Sequence, residues 1–158
     1  MKTRIPLAEA DLLAASFVEE AKKRGMKRIE VCGSVRRKEP FVGDLDVVVE
    51  GDLQMFEFPT PIGEIFEGGM ERVSLTYKGV QVNVFRSVPE EWGAAIFYAT
   101  GPAKYQIAYR AKAKYKHWLL NNHGLFDQDG KKMAGETEGG IYKAFGKEWK
   151  PPEKRGKK

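Results

Sequence analysis

The chain has 158 residues, of which 27 are Lys or Arg and 22 are Asp or Glu, a net charge of +5. An apolar fraction of 42% with 11% aromatic residues is enough for a core and argues against wholesale disorder. No apolar run approaches the roughly 20 residues of a bilayer-spanning helix, and the opening MKTRIPLAEADLL lacks a signal-peptide pattern. The sequence therefore predicts an intracellular protein (cytoplasm or nucleoid), monomeric and without membrane association. A single cysteine, Cys32, excludes an intramolecular disulfide, and its place after the apolar run from Arg28 predicts a buried, inert thiol.

In chain order, residues 7–24 predict an amphipathic helix. Leu13, Phe17 and Ala21 recur at i, i+4 beside Ala14 and Val18, and Gly25 is the stop. Residues 28–32 predict a strand running into the turn Gly33-Ser34. Leu45, Val47 and Val49 predict a second strand, and residues 51–70, with scattered Gly, Pro and Phe, an irregular stretch. Residues 72–85 predict a hairpin across Lys78-Gly79, with Val80, Val82 and Val84 on one face and Gln81, Asn83 and Phe85 on the other. Helices are expected at 89–98 and 102–119, opened by Pro89 and Pro102. A turn at Asp129-Gly130 and a short helix at 137–145 follow, with a frayed tail at the end. Trp92, Trp118 and Trp149 are expected in the core.

Charge is spread unevenly. Residues 1–101 hold 13 basic and 16 acidic side chains, a net of −3, whereas residues 102–158 hold 14 and 6, a net of +8. This asymmetry suggests a polyanion docking on the second part and chemistry or metal on the first; a solvated lysine-rich tail is the other reading that charge alone allows.

The densest signal is Cys32-Gly33-Ser34-Val35-Arg36-Arg37 followed by Gly43-Asp44-Leu45-Asp46. Residues i and i+2 of a strand share a face, so Asp44 and Asp46 present two carboxylates side by side while Leu45, Val47 and Val49 fill the core behind. Adjacent carboxylates repel unless a cation lies between them, and hard oxygen ligands suit Mg²⁺ or Mn²⁺. The Gly33-Ser34 turn can offer backbone N–H groups and a hydroxyl to phosphate oxygens, and Arg37 a guanidinium.

With these residues the chain resembles the nucleotidyltransferase superfamily. Gly-Ser-Val-Arg-Arg-Lys-Glu…Val-Gly-Asp-Leu-Asp is similar to the palm segment of family X DNA polymerases, and Phe97-Tyr98-Ala99-Thr100-Gly101 to the family's Tyr-Phe-Thr-Gly segment. Asn121-Asn122-His123-Gly124-Leu125-Phe126 and Ile141-Tyr142…Pro151-Pro152-Glu153 resemble two later segments, so the likeness covers nearly the whole chain. It is to the minimal palm-and-thumb forms, some of them viral, that lack the lyase and helix–hairpin–helix domains.

The resemblance implies an α+β fold: a palm over 1–98 with a small mixed sheet, and a thumb-like, nucleotide-selecting and DNA-binding α/β lobe over 99–158. It implies a DNA polymerase that adds dNMP to a primer 3′-hydroxyl on primer–template or gapped DNA, in short-gap repair, with two Mg²⁺ ions in the active form and Mn²⁺ as the other candidate metal. Asp44, Asp46 and the residue at 83 would hold metal. Gly33, Ser34, Arg37 and Gly43 would hold the triphosphate; Tyr98 and Gly101 would seat the sugar. Arg110 and Asn121 would face the nascent pair, and Lys104, Arg110, Lys112, Lys114 and Lys116 would bind DNA.

Two departures stand out. Asn83 occupies the place of the family's third catalytic Asp; amides keep a carbonyl oxygen but lose the charge and cannot act as a base. Either an Asp→Asn exchange has been introduced into an otherwise intact site, which the rest of the constellation favours, or Asn83 is natural and marks a silent nucleotide- and nucleic-acid-binding module. A nucleotidyltransferase acting on a non-DNA acceptor is the remaining alternative. Ala99 replaces an aromatic beside Tyr98 and predicts looser exclusion of ribonucleotides. The pair Gly139-Gly140 predicts a weak last helix.

Overall fold

The computed structural model describes residues 3–157, which divide into two units at the boundary between Ser87 and Val88. In the first, β1 (Ile5–Pro6) leads into α1 (Leu7–Lys23), β2 (Arg28–Val31), the one-turn helix α2 (Gly33–Arg36), β3 (Phe41–Val42) and β4 (Asp44–Glu50). Then come β5 (Glu64–Glu67), β6 (Arg72–Tyr77) and β7 (Val80–Arg86). The second unit holds α3 (Trp92–Thr100), α4 (Ala103–Tyr115), β8 (Leu119–Asn121), β9 (Gly124–Phe126), β10 (Lys132–Ala134) and α5 (Glu138–Ala144). The chain is α+β with small sheets, and no helix among the described residues is long and apolar enough to cross a membrane.

Helix α1 buries the stripe Ala10, Ala14, Phe17 and Ala21 and stops at Gly25, where φ is 92° and the Met26 N–H donates to the Ala21 carbonyl at 3.2 Å. Its stripe lies on a five-stranded mixed sheet of order β2-β4-β7-β6-β5. Strands β4 and β7 are parallel neighbours with Asp46 beside Asn83, and β6 pairs antiparallel with β7, placing Ser74 across from Asn83. Leu45, Val47 and Val49 of β4, with Val82 and Val84 of β7, face the core. There Phe17 stacks on Phe56 at 5.7 Å and meets Tyr77 edge-on. Cys32 is fully buried.

The stretch 51–70 is more ordered than the sequence predicts. A 3₁₀ turn at Leu53–Phe56 is capped by the Asp52 carboxylate, which accepts from the Gln54 N–H at 2.9 Å, and it buries Leu53 and Phe56. Edge strand β5 follows, with Glu64, Phe66 and Glu67 exposed. With one face in water and Gly and Pro on either side, its alternation is too short to read.

In the second unit, Ala94, Phe97, Tyr109, Ala113, Leu120, Leu125, Ile141 and Tyr142 form a core. The helix expected over 89–98 is a 3₁₀ turn at Pro89–Glu91 followed by α3. Because Ala94 and Phe97 belong to this core, α3 falls wholly in the second unit. The division therefore lies at 87/88, where the sequence reading drew it at 98/99.

Helix α4 ends four residues sooner than expected. His117 adopts a left-handed φ of 62°, and the Trp118 N–H closes back on the Ala113 carbonyl at 2.8 Å, which frees Leu119 to begin β8. The Thr137 hydroxyl accepts from the Gly140 N–H at 3.0 Å and supports the Gly-rich start of α5.

The frayed tail is a correction. Residues Pro152–Lys154 form a 3₁₀ turn, and Arg155 is only 1% exposed. Its guanidinium donates to Glu138 through Nη1 at 2.8 Å and Nη2 at 3.1 Å, and to the Lys150 carbonyl through Nε at 2.9 Å. Trp149, expected in the core, is 47% exposed and donates its indole N–H to Glu138 at 3.0 Å. Breaking a buried pair strands the other charge, at a cost of about 3–5 kcal/mol. Arg155→Met should therefore destabilise the chain by roughly that amount in urea unfolding, and the double variant Glu138→Leu/Arg155→Met should recover much of the loss.

Candidate active site

Strand β4 carries Asp44 and Asp46 out of the sheet on one face while Leu45 and Val47 anchor it on the other. They border a cavity of about 820 Å³ lined also by Arg4, Ser34, Arg37, Glu39, Phe41 and Gly43. Position 33 accepts only glycine: φ is +59°, and a Cβ there would collide with Asp46 Oδ2. This close approach fixes α2 against β4, tied further by the Cys32 N–H donating to the Asp46 carbonyl at 2.7 Å. Arg37 closes the rim, its Nε 3.5 Å from Glu39 Oε1. Ser34, Arg37, Gly43, Asp44 and Asp46 thus meet at one cavity, with Gly33 in the turn beneath.

Burial pushes the Asp46 carboxyl above the usual carboxylate range. The Asn83 amide holds it down, the charge of Asp44 raises it further, and the guanidiniums of Arg37 and Arg72 lower it. Asn83 is 6% exposed and donates through Nδ2 to Asp46 Oδ1 at 3.0 Å and, at a long 3.5 Å, to Asp44 Oδ2. Its oxygen accepts from the Ser74 hydroxyl at 2.9 Å and the Gln81 amide at 3.0 Å. Ionised carboxylates only accept, so the amide turns its nitrogen to the acid pair and its oxygen away. Asn83 therefore bridges the two carboxylates as a neutral donor rather than facing them with an oxygen.

The donor set suits a hard divalent cation in one respect: two carboxylates share a face, and one is raised by burial, an unfavourable state that bound positive charge would relieve. Among the described residues no third His, Cys, Asp or Glu joins them.

In the second unit Tyr98 is 42% exposed, with the Arg110 guanidinium 5.9 Å from its ring centroid. Gly101 caps α3 at φ 66° and ψ −150°. The Asn121 side-chain oxygen accepts from the His123 N–H at 2.8 Å, within the β8–β9 turn, and His123 Nδ1 pairs with Glu91 at 2.8 Å. Lys104, Arg110, Lys112, Lys114 and Lys116 are all exposed, yet they do not form one surface. At about 100° per residue, Arg110 and Lys114 fall on the Tyr98 flank of α4, whereas Lys112 and Lys116 fall on the flank of Tyr109 and Trp118.

Sequence reasoning missed Arg4, Ser74 and Gln81. Arg4 reaches the cavity because β1 pairs with β3, Ile5 opposite Val42, a two-residue ladder without local signal. Ser74 was legible: a two-residue turn at Lys78-Gly79 places 74 opposite 83.

The DNA polymerase beta thumb family model matches residues 95–156. The Repair DNA polymerase X of an African swine fever virus isolate is 31% identical over 142 residues, which cover 82% of each chain. The protein of that name from a second strain of the virus is also 31% identical over 142 residues. Human DNA-directed DNA/RNA polymerase mu is 32% identical over 103 residues, 64% of this chain and 21% of that one. Paired carboxylates over a glycine turn, joined to a second unit that the thumb model matches and to relatives aligned along most of the sequence, place this chain in the family X DNA polymerases.

Proposed function

We propose that the chain fills short gaps in DNA inside the cell, adding a dNMP to the primer 3′-hydroxyl of primer–template or gapped DNA. The observation that carries the reading is the cavity shared by Asp44, Asp46, Ser34 and Arg37. The primer oxygen bonds to the α-phosphorus of a dNTP, the bond to the β-phosphate oxygen breaks, and pyrophosphate leaves as the hydroxyl proton passes to solvent. Asp44 and Asp46 would hold divalent Mg²⁺ or Mn²⁺, which when bound would neutralise the triphosphate and supply electrophilic assistance. Ser34, Arg37 and the Gly33 and Gly43 backbone hold the β and γ phosphates, and Arg4, lining the same cavity, adds a further cation. Tyr98 and Gly101 seat the sugar, Arg110 and Asn121 face the nascent pair, and the lysines of α4 contact DNA.

Asn83 weakens this machinery. It supplies neither a third carboxylate nor a base, and its oxygen is taken by Ser74 and Gln81. A loss of about 4 kcal/mol in transition-state stabilisation slows chemistry roughly 10³-fold. The fully bonded amide also supports a second reading, a module that binds nucleotide and DNA without reacting.

Single-nucleotide extension on a gapped primer–template separates the two. Asn83→Asp should raise the rate by about 10³, and calorimetric Mn²⁺ titration should show a second ion bound in its dNTP complex. If the variant binds DNA and dNTP yet does not extend, the binding module is the better account.

Sugar choice gives a further test. Ala99 leaves a methyl group where an aromatic ring would crowd a 2′-hydroxyl. In the Asn83→Asp form, kcat/KM for dNTP and rNTP should lie within about tenfold, a gap of only ~1.4 kcal/mol. Strong preference for dNTP would show that Tyr98 and the backbone suffice.

A further inference from the structure

We propose that the Lys112–Lys116 flank of α4 is a binding site for single-stranded DNA, separate from the Tyr98–Arg110 flank; this rests on the polymerase reading above. A groove of about 520 Å³ runs between α4 and the end of α5, lined by Tyr109, Lys112, Tyr115, Lys116, Phe145 and Lys147. These bring three ammonium groups and no carboxylate, so the groove is complementary to an anion. Lys112 Nζ lies 4.7 Å from the Tyr109 ring centroid and Lys116 Nζ 5.2 Å from that of Trp118. Both ammonium groups therefore lie over aromatic rings beside the groove, held by cation–π attraction.

Tyr115 also lines the groove and is 88% exposed. A large ring left in water beside three cations matches the way proteins hold unpaired strands, with bases stacking on aromatic side chains and phosphates meeting lysines. Base pairs inside a duplex keep their faces stacked on one another, so along its length a duplex offers such a ring nothing to stack on. An unpaired strand does, and gapped or overhanging DNA supplies one. Phe145 and Tyr109 floor the groove from the core, which fixes its shape, and the C-terminal turn of α5 at Gly146, with the Lys147 N–H on the Tyr142 carbonyl at 2.9 Å, delivers Lys147.

The test is fluorescence anisotropy of the full chain with labelled oligo-dT, a blunt duplex, and the same duplex carrying a dT overhang, each at several salt concentrations. The native chain should bind the overhang duplex more tightly than the blunt one. Tyr115→Ala should weaken oligo-dT and overhang binding about tenfold while leaving the blunt duplex unchanged, and Tyr115→Phe should restore it. Lys147→Gln should reduce the salt slope for oligo-dT by about 0.7. If Tyr115→Ala has no effect on the single strand, or weakens the blunt duplex equally, the site is overturned although the polymerase reading stands. If the native chain binds none of the three DNAs, both fall.

Discussion

Two carboxylates two residues apart on one strand repel each other, and much of the first unit answers that repulsion. Asp46 is the more constrained, because burial makes its charge costly before Asp44 adds to the cost. The structure answers with an amide N–H from the neighbouring parallel strand, with guanidiniums at Arg37 and Arg72, and with a glycine whose missing side chain lets α2 lie against the carboxylate. The amide needs β4 and β7 to be adjacent and in register, which is what the valines behind them secure. The same arrangement that makes the pair tolerable leaves its open side facing the cavity, where a metal-bound triphosphate would find opposite charge on two sides. The carboxylate pair is in this sense an electrostatic problem half solved, its remaining repulsion open to relief by a cation.

What the sequence makes legible follows from how local its physics is. Helix α1 is read from its own stripe, the hairpin of β6 and β7 from its turn, and the acid pair from a strand period of two; all three depend on residues within a dozen positions. Segments that depend on distant partners escape. Strand β5 exists because β6 offers it an edge, and β1 because β3 does, so Arg4 could not be assigned to the cavity in advance. Alternation puts Asn83 on the face of the acid pair, and acceptor-only carboxylates turn its nitrogen toward them; donors from Ser74 and Gln81 then hold its oxygen behind.

The second unit shows composition misleading in a different way. A closing run rich in Lys, Pro and Gly reads as a solvated tail, yet one member of it, Arg155, is among the most deeply buried side chains in the chain. Its guanidinium is held by Glu138 at the head of α5 and lies over the rings of Phe97, Tyr142 and Trp149 at 5.4–5.7 Å. Planar, delocalised charge can be buried against aromatic faces in a way that an ammonium cannot, so one arginine among lysines carries a different meaning. Uniform basicity along α4 is similarly deceptive, since alternate lysines fall on opposite flanks of the helix.

The Lys78-Gly79 turn has a consequence for how this chain can vary. Surface hairpin turns ordinarily absorb insertions and deletions, because nothing downstream depends on their length. Here the pairing of Ser74 with Asn83 is set by that turn, and Asn83 in turn meets both carboxylates. Adding or removing one residue would slip β6 by one position and send the Ser74 hydroxyl to the opposite face of the sheet, leaving the amide oxygen without its buried donor. An exposed turn thus carries the length constraint of Asn83 and of the carboxylate pair it meets, and Tyr77 beside it is fixed in side chain as well as in spacing, because its buried ring meets Phe17.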